Sequence, residues 1–231
     1  MAKKNRQKKD VAAIRAKNQS IQEMPLYKTI DFSGSTTIYI WKITETLDEL
    51  SSEIILNEKS QFRLNNMKSE MHKRGFLSVR KLLQEANYSD SDLFYDESGK
   101  PHLLDRKFIS ISHSHQMSAI IISNEPVGID LEIQKEKVLK IALKFMDVSH
   151  LENLSHENKI KKATIIWGIK ETIFKIENQK GISFPDHIFE DDFQVSDKKT
   201  SAQLRFNNKV ENFNIFFEEN ENYILVWGFH K

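Results

Sequence analysis

The sequence predicts an α+β fold, and three observations carry that expectation. Runs of β-branched and alternating apolar residues recur along the chain, long stretches between them repeat apolar residues with helical period, and each half mixes both kinds. A junction falls near residue 125, where Pro126 stands two positions before Gly128. The expected organisation is a basic arm over 1–25, a first α+β half over 26–125 and a second over 126–231.

In chain order, TTIYIWKI (36–43) alternates and is rich in β-formers, so it reads as a strand. Residues 46–86 carry helical periodicity, broken near Asn57 and again near Gly75. Phe76, Leu77, Val79, Leu82 and Leu83 form the apolar side of its last segment. DESGKP (96–101) has turn composition. KFISIS (107–112), MSAIIIS (117–123) and VGIDLEI (127–133) read as three strands, and helical stretches follow over 137–145 and 157–177. The tail returns to strands in HIFEDDFQV, AQLRF, FNIFF and YILVWGF, with the hairpin signal EENEN between the last two.

Composition narrows the class. Hydrophobic content of 39% and charged content of 29% suit a globular chain with a sizeable core. The absence of cysteine excludes disulfides and Cys-based zinc sites and fits a reducing, cytoplasmic setting. No apolar run approaches the roughly 20 residues needed to span a bilayer, and the N-terminus lacks the apolar centre of a secretory signal, so no membrane is expected. Net charge is +1, yet seven lysines and arginines against Asp10 alone make residues 1–20 +6. The remainder is therefore −5, so the globular part is not basic enough for a nucleic-acid binder and no nucleic-acid partner is expected for it. The arm reads as a solvated segment or as a tether to an acidic partner or nucleic acid.

Within VGIDLE, Asp130 and Glu132 stand two positions apart and share one side of a strand, their α-carbons about 6.6 Å apart. Burial penalises charging either, and at about 4 Å and an effective dielectric near 20 two carboxylates repel by about 4 kcal/mol. A cation is required to hold them. On the helix of 165–176, Ile166, Ile169, Ile173 and Ile176 form the packing side, while Trp167, Glu171 and Lys175 share another at i, i+4 and i+8. By itself that stripe is a surface Glu171–Lys175 pair. His113 and His115 alternate as in a His-x-His metal site, but Met117 stands where the longer zinc-hydrolase pattern has its aspartate.

Together these pieces are specific. GKP (99–101), SISHS (110–114), VGIDLE (127–132) and WGIKETIFK (167–175) resemble, in order and spacing, the 4′-phosphopantetheinyl transferases of the larger type. In that type two similar α/β halves form a pseudo-dimer within one chain. The resemblance, which spans roughly residues 68–180, implies transfer of 4′-phosphopantetheine from coenzyme A to a serine of an apo acyl or peptidyl carrier protein. It further implies Mg²⁺ as cofactor, release of adenosine 3′,5′-bisphosphate and a monomer.

Residue by residue, the resemblance matches Asp130, Glu132 and Glu171 to the magnesium-binding acids, with Glu171 also as base. It matches Lys175 to a lysine on the pyrophosphate, with Lys170 adding charge nearby, and Ser112 and His113 to a pair on coenzyme A phosphate. Lys100, Arg74 and Arg80 fall near the nucleotide end. Gly168 departs from the small non-glycine residue that relatives carry after the tryptophan, at a helix cost of about 1 kcal/mol. Two other classes use the same residues: a Mg²⁺-dependent phosphohydrolase, and a non-catalytic module that binds coenzyme A or a carrier protein.

Overall fold

The computed structural model of the chain describes residues 26–231, and the basic arm lies outside the described residues. Two antiparallel sheets dominate. The first contains β1 (Leu26–Ser33), β2 (Thr36–Lys42), β5 (Phe108–Ser114) and β6 (Met117–Ser123) in the order β1-β2-β6-β5. The second contains β7 (Val127–Ile133), β8 (Ile188–Glu190), β9 (Lys199–Phe206), β10 (Lys209–Asn220) and β11 (Tyr223–His230) in the order β7-β11-β10-β9-β8. A short hairpin of β3 (Leu93–Tyr95) and β4 (Pro101–Leu103) stands apart. The helices are α1 (Leu47–Glu53), α2 (Glu58–Asn66), α3 (Glu70–Glu85), α4 (Lys137–Ile141), α5 (His156–Glu177) and α6 (Phe184–His187).

The helix starts follow local chemistry. Thr46, Asn57, Ser69 and Ser155 each accept a backbone N–H of the first turn, so α1, α2, α3 and α5 begin where a side chain satisfies an orphan donor. α5 stops at Asn178, which turns left-handed at φ 52°. The expected break near Gly75 does not occur. Gly75 lies inside α3, and its missing side chain admits the His113 ring, to which a Cβ would come within 2.9 Å.

Strand periodicity then decides the layers. Ile38, Ile40, Met117, Ala119 and Ile121 of the first sheet form one core with Val127, Ile129, Leu131, Leu225 and Trp227 of the second, so the sheets pack face to face. The outer face of the first sheet packs on α3 through Leu77, Leu82, Ile120 and Ile122. The outer face of the second packs on α5 through Ile165, Ile169, Ile173 and Val226. β6 is consequently buried along its whole length. On β7 the odd residues enter the inter-sheet core, and Gly128, Asp130 and Glu132 turn toward α5.

One connectivity occurs twice. β2 leads through α3 to the β5–β6 hairpin, with β6 beside β2; β7 leads through α5 to the β10–β11 hairpin, with β11 beside β7. Two expectations were too long. The strand expected over 187–195 shrinks to β8, because Glu190 and Asp192 are drawn to Lys170 and Lys162. The helix expected over 137–145 ends at Ile141 in a 3₁₀ turn that buries Phe145.

Candidate active site

The close approach of β7 and α5 builds the site, and two glycines permit it. A Cβ on Gly128 would lie 2.3 Å from the Thr172 carbonyl oxygen of α5. A Cβ on Gly168 would lie 2.6 Å from Val226 Cγ2 and 3.7 Å from Asp130 Oδ2. The unusual mid-helix glycine thus makes room for Val226 of β11, while Asp130 Oδ2 lies at ordinary contact distance.

Asp130 is 3% exposed. Its Oδ1 accepts from Lys175 Nζ at 2.8 Å and from Ser112 Oγ at 3.0 Å, while Oδ2 is buried without a hydrogen-bond partner. Lys175 Nζ also donates to the Ile129 carbonyl at 2.9 Å. The lysine is therefore a counter-cation for the strand's first acid, rather than half of a surface pair with Glu171. Burial and the Asp130 charge push Glu132 up to about 7, against hydrogen bonds from Ser114 and Trp167 and the charge of Lys175. Glu171 is raised by the same two causes and lowered by Lys175. The Asp130 charge thus acts on both glutamates, one on its own strand and one across the strand–helix contact. Among the described residues, no three His, Cys, Asp or Glu side chains are already gathered as a metal-binding group.

Beyond Lys175 a cavity of about 510 Å³ runs between α3, β5 and the end of α5, with the β3–β4 turn closing one side. Its described lining includes Arg63, Arg80, Lys100 and Lys175 together with His72 and His113, and no acid. Phe76, Val79, Ile111 and Phe174 supply apolar wall. Lys100 Nζ donates to the Ile176 carbonyl at 2.6 Å, which ties the turn to the end of α5. Burial holds Lys100 below its ordinary value, opposed by Glu177 and Asp96. Burial, and electrostatic repulsion from His72, Lys175 and Arg63, likewise hold His113 low.

Four of the residues expected near phosphate do other work. Lys170 is buried on the far side of α5, where it donates to the Ile188 carbonyl and pairs with Glu190. Arg80 borders the cavity, but its Nε donates to Asp90 Oδ1 at 2.8 Å in a buried pair that Ser60 completes. Arg74 reaches back to the Ile43 carbonyl at 3.2 Å. Ser112 faces Asp130 and β7, not the cavity. His115 sits in the β5–β6 turn at φ 53° and contacts Lys135, apart from His113.

Sequence reasoning missed Arg63, His72, Phe174 and Asn178. The last two continue the Trp167–Glu171–Lys175 stripe, so helical period could have found them. Arg63 carries no such signal: it is placed by stacking near Tyr95, 4.9 Å from the ring centre, and Phe76.

Asp130, Glu132 and Glu171 thus lie near a cationic, apolar-walled cavity with room for a bulky anionic ligand. No family model matches the chain. It is 29% identical over 178 residues to the 4′-phosphopantetheinyl transferase gsp of Aneurinibacillus migulanus, covering 74% of this chain and 73% of that one. It is 28% identical over 151 residues to the 4′-phosphopantetheinyl transferase ffp of Bacillus subtilis, covering 61% and 67%. To the 4′-phosphopantetheinyl transferase Sfp of Bacillus subtilis (strain 168) it is 30% identical over 115 residues, covering 48% and 50%. All of these relatives are named 4′-phosphopantetheinyl transferases, and the similarity supports a transferase of that type.

Proposed function

We propose that the protein transfers the 4′-phosphopantetheine group of coenzyme A to a serine hydroxyl of an apo acyl or peptidyl carrier protein, with Mg²⁺, and releases adenosine 3′,5′-bisphosphate. The observation that carries this reading is the cavity of about 510 Å³, cationic and free of described acids, that ends at the lysine bonded to Asp130. Its charge suits a polyphosphate, and its apolar wall suits a base and a pantetheine arm.

The donor set fits a hard divalent ion. Asp130, Glu132 and Glu171 offer carboxylate oxygens, one of them buried and unpartnered, and burial together with the Asp130 charge raises the two glutamates. Bound there, Mg²⁺ supplies charge compensation for the pyrophosphate. Glu171 takes the proton from the serine Oγ. The serine oxygen bonds to the pantetheine-side phosphorus as the bond to the bridging oxygen of the pyrophosphate breaks. Lys175, at the boundary of acids and cavity, stabilises the departing bisphosphate. Lys100 and Arg63 offset the remaining phosphate charge, and His113 offers it a ring N–H.

The repeated strand–helix–hairpin connectivity supports reading the chain as two related halves, 26–125 and 126–231, within a monomer. The lack of cysteine supports a cytoplasmic location.

The test incubates the purified protein with coenzyme A, Mg²⁺ and a panel of apo carrier proteins from fatty-acid, polyketide and peptide assembly. A mass gain of about 340 Da on a carrier serine is expected, the increment of the phosphopantetheine group. No adduct on any carrier overturns the reading.

A further inference from the structure

Of the three serines of SISHS, only Ser110 lines the cavity that their neighbour His113 lines. Ser110, Ser112 and Ser114 alternate along β5, so all three side chains leave the same face, the one turned to the second sheet. There they meet β7. The Ile129 N–H donates to Ser110 Oγ at 3.1 Å and the Leu131 N–H to Ser112 Oγ at 3.1 Å. Ser112 Oγ donates to Asp130 Oδ1 at 3.0 Å, and Ser114 Oγ to Glu132 Oε2 at 3.3 Å.

The sequence separations are 19 for both backbone contacts and 18 for both acid contacts. A constant offset means that β5 and β7 run side by side in parallel, in one register. Serines two apart therefore match acids two apart, rung for rung. Hydroxyls take the place that carbonyls hold in a continuous sheet, and two of them continue on to the carboxylates. A hydroxyl has a single proton to give, and Ser112 spends it on Asp130.

We propose that Ser112 and Ser114 are positioning residues that fix the rotamers of Asp130 and Glu132 for Mg²⁺, with Ser110 as the rung that only sets register. This rests on the reading above and replaces the coenzyme A contact that the resemblance implies for Ser112. Partners of this kind behind metal-binding carboxylates are worth about 10- to 100-fold in metal affinity or activity when removed. A one-residue slip of the strand would turn the acids to the wrong face, which is why the rungs are spaced as the acids are.

The experiment compares Ser110→Ala, Ser112→Ala and Ser114→Ala with the parent protein. Three readouts are taken: melting temperature without metal, the Mg²⁺ concentration that gives half of the metal-induced thermal shift, and the KM for coenzyme A against kcat. Ser112→Ala and Ser114→Ala are expected to raise the Mg²⁺ midpoint about tenfold, to lower kcat, and to keep the KM for coenzyme A within twofold. Ser110→Ala is expected to lower the melting temperature without moving the Mg²⁺ midpoint. A Ser112→Ala protein with a raised KM for coenzyme A and an unchanged Mg²⁺ midpoint would return this serine to the substrate and overturn the proposal. Equal Mg²⁺ midpoints in all four proteins would overturn it as well. The thermal-shift arm needs no turnover, so absence of transfer by the parent protein would refute the proposed reaction and leave the serine test standing.

Discussion

Gly128→Ala probes the strand–helix contact that brings the acids together. An alanine Cβ would lie 2.3 Å from the Thr172 carbonyl oxygen, 3.1 Å from its carbonyl carbon and 2.9 Å from Ile176 Cγ1. Non-bonded atoms settle at about 3.5 Å, so roughly 1 Å must be found. The nearest obstacle is helix backbone, which no rotamer change can remove. β7 and α5 must part, and with them Asp130 and Glu132 from Glu171 and Lys175. Overpacking costs about 1–3 kcal/mol, which lowers the melting temperature by about 2–4 °C per kcal/mol in a chain of this size. A displacement of about 1 Å at the reacting groups costs on the order of 100-fold in rate. Scanning fluorimetry and carrier loading followed by mass spectrometry measure the two effects. Gly168→Ala is the comparison. Its obstacle is the Val226 side chain at 2.6 Å, and it regains about 1 kcal/mol of helix propensity, so its losses are expected to be smaller. Parental stability and rate in Gly128→Ala, or greater damage from Gly168→Ala, would refute the reasoning.

Three other outcomes follow from the same geometry. Asp130→Ala is expected to abolish carrier loading while near-ultraviolet circular dichroism stays folded; full activity would remove the aspartate from the mechanism. Asp90→Ala leaves Arg80, 3% exposed, without its carboxylate, and is expected to cost about 3–5 kcal/mol in a urea melt with no specific effect on metal affinity. Glu132 is raised to about 7, so between about pH 4.5 and 7 the folded protein keeps a proton that the unfolded chain has released. In the presence of a chelator, stability should therefore fall as pH rises through that window, by at most about 3 kcal/mol. Glu132→Gln is expected to flatten the profile, and an unchanged slope would contradict the burial of this carboxylate.

What the sequence by itself determined was local. Periodicity placed the inward isoleucines of α5 and the apolar side of α3, because a helix repeats its faces over a few residues whatever lies opposite. Alternation put Asp130 and Glu132 on one side of β7, and the motif order carried the resemblance to the 4′-phosphopantetheinyl transferases from short stretches of chain. The tertiary structure decided every pairing across long separations. Lys175 meets Asp130 across 45 residues, and the serines of β5 meet β7 across 18 and 19. Lys170 and Arg80 turn from substrate cations into internal counter-ions for Glu190 and Asp90. Those choices depend on which buried charge lies within reach once the sheets have packed, and a linear pattern carries no measure of that distance. The cavity is of the same kind: Arg63, His72 and Lys100 come from three separate segments and meet only because α2, α3 and the β3–β4 turn close over β5.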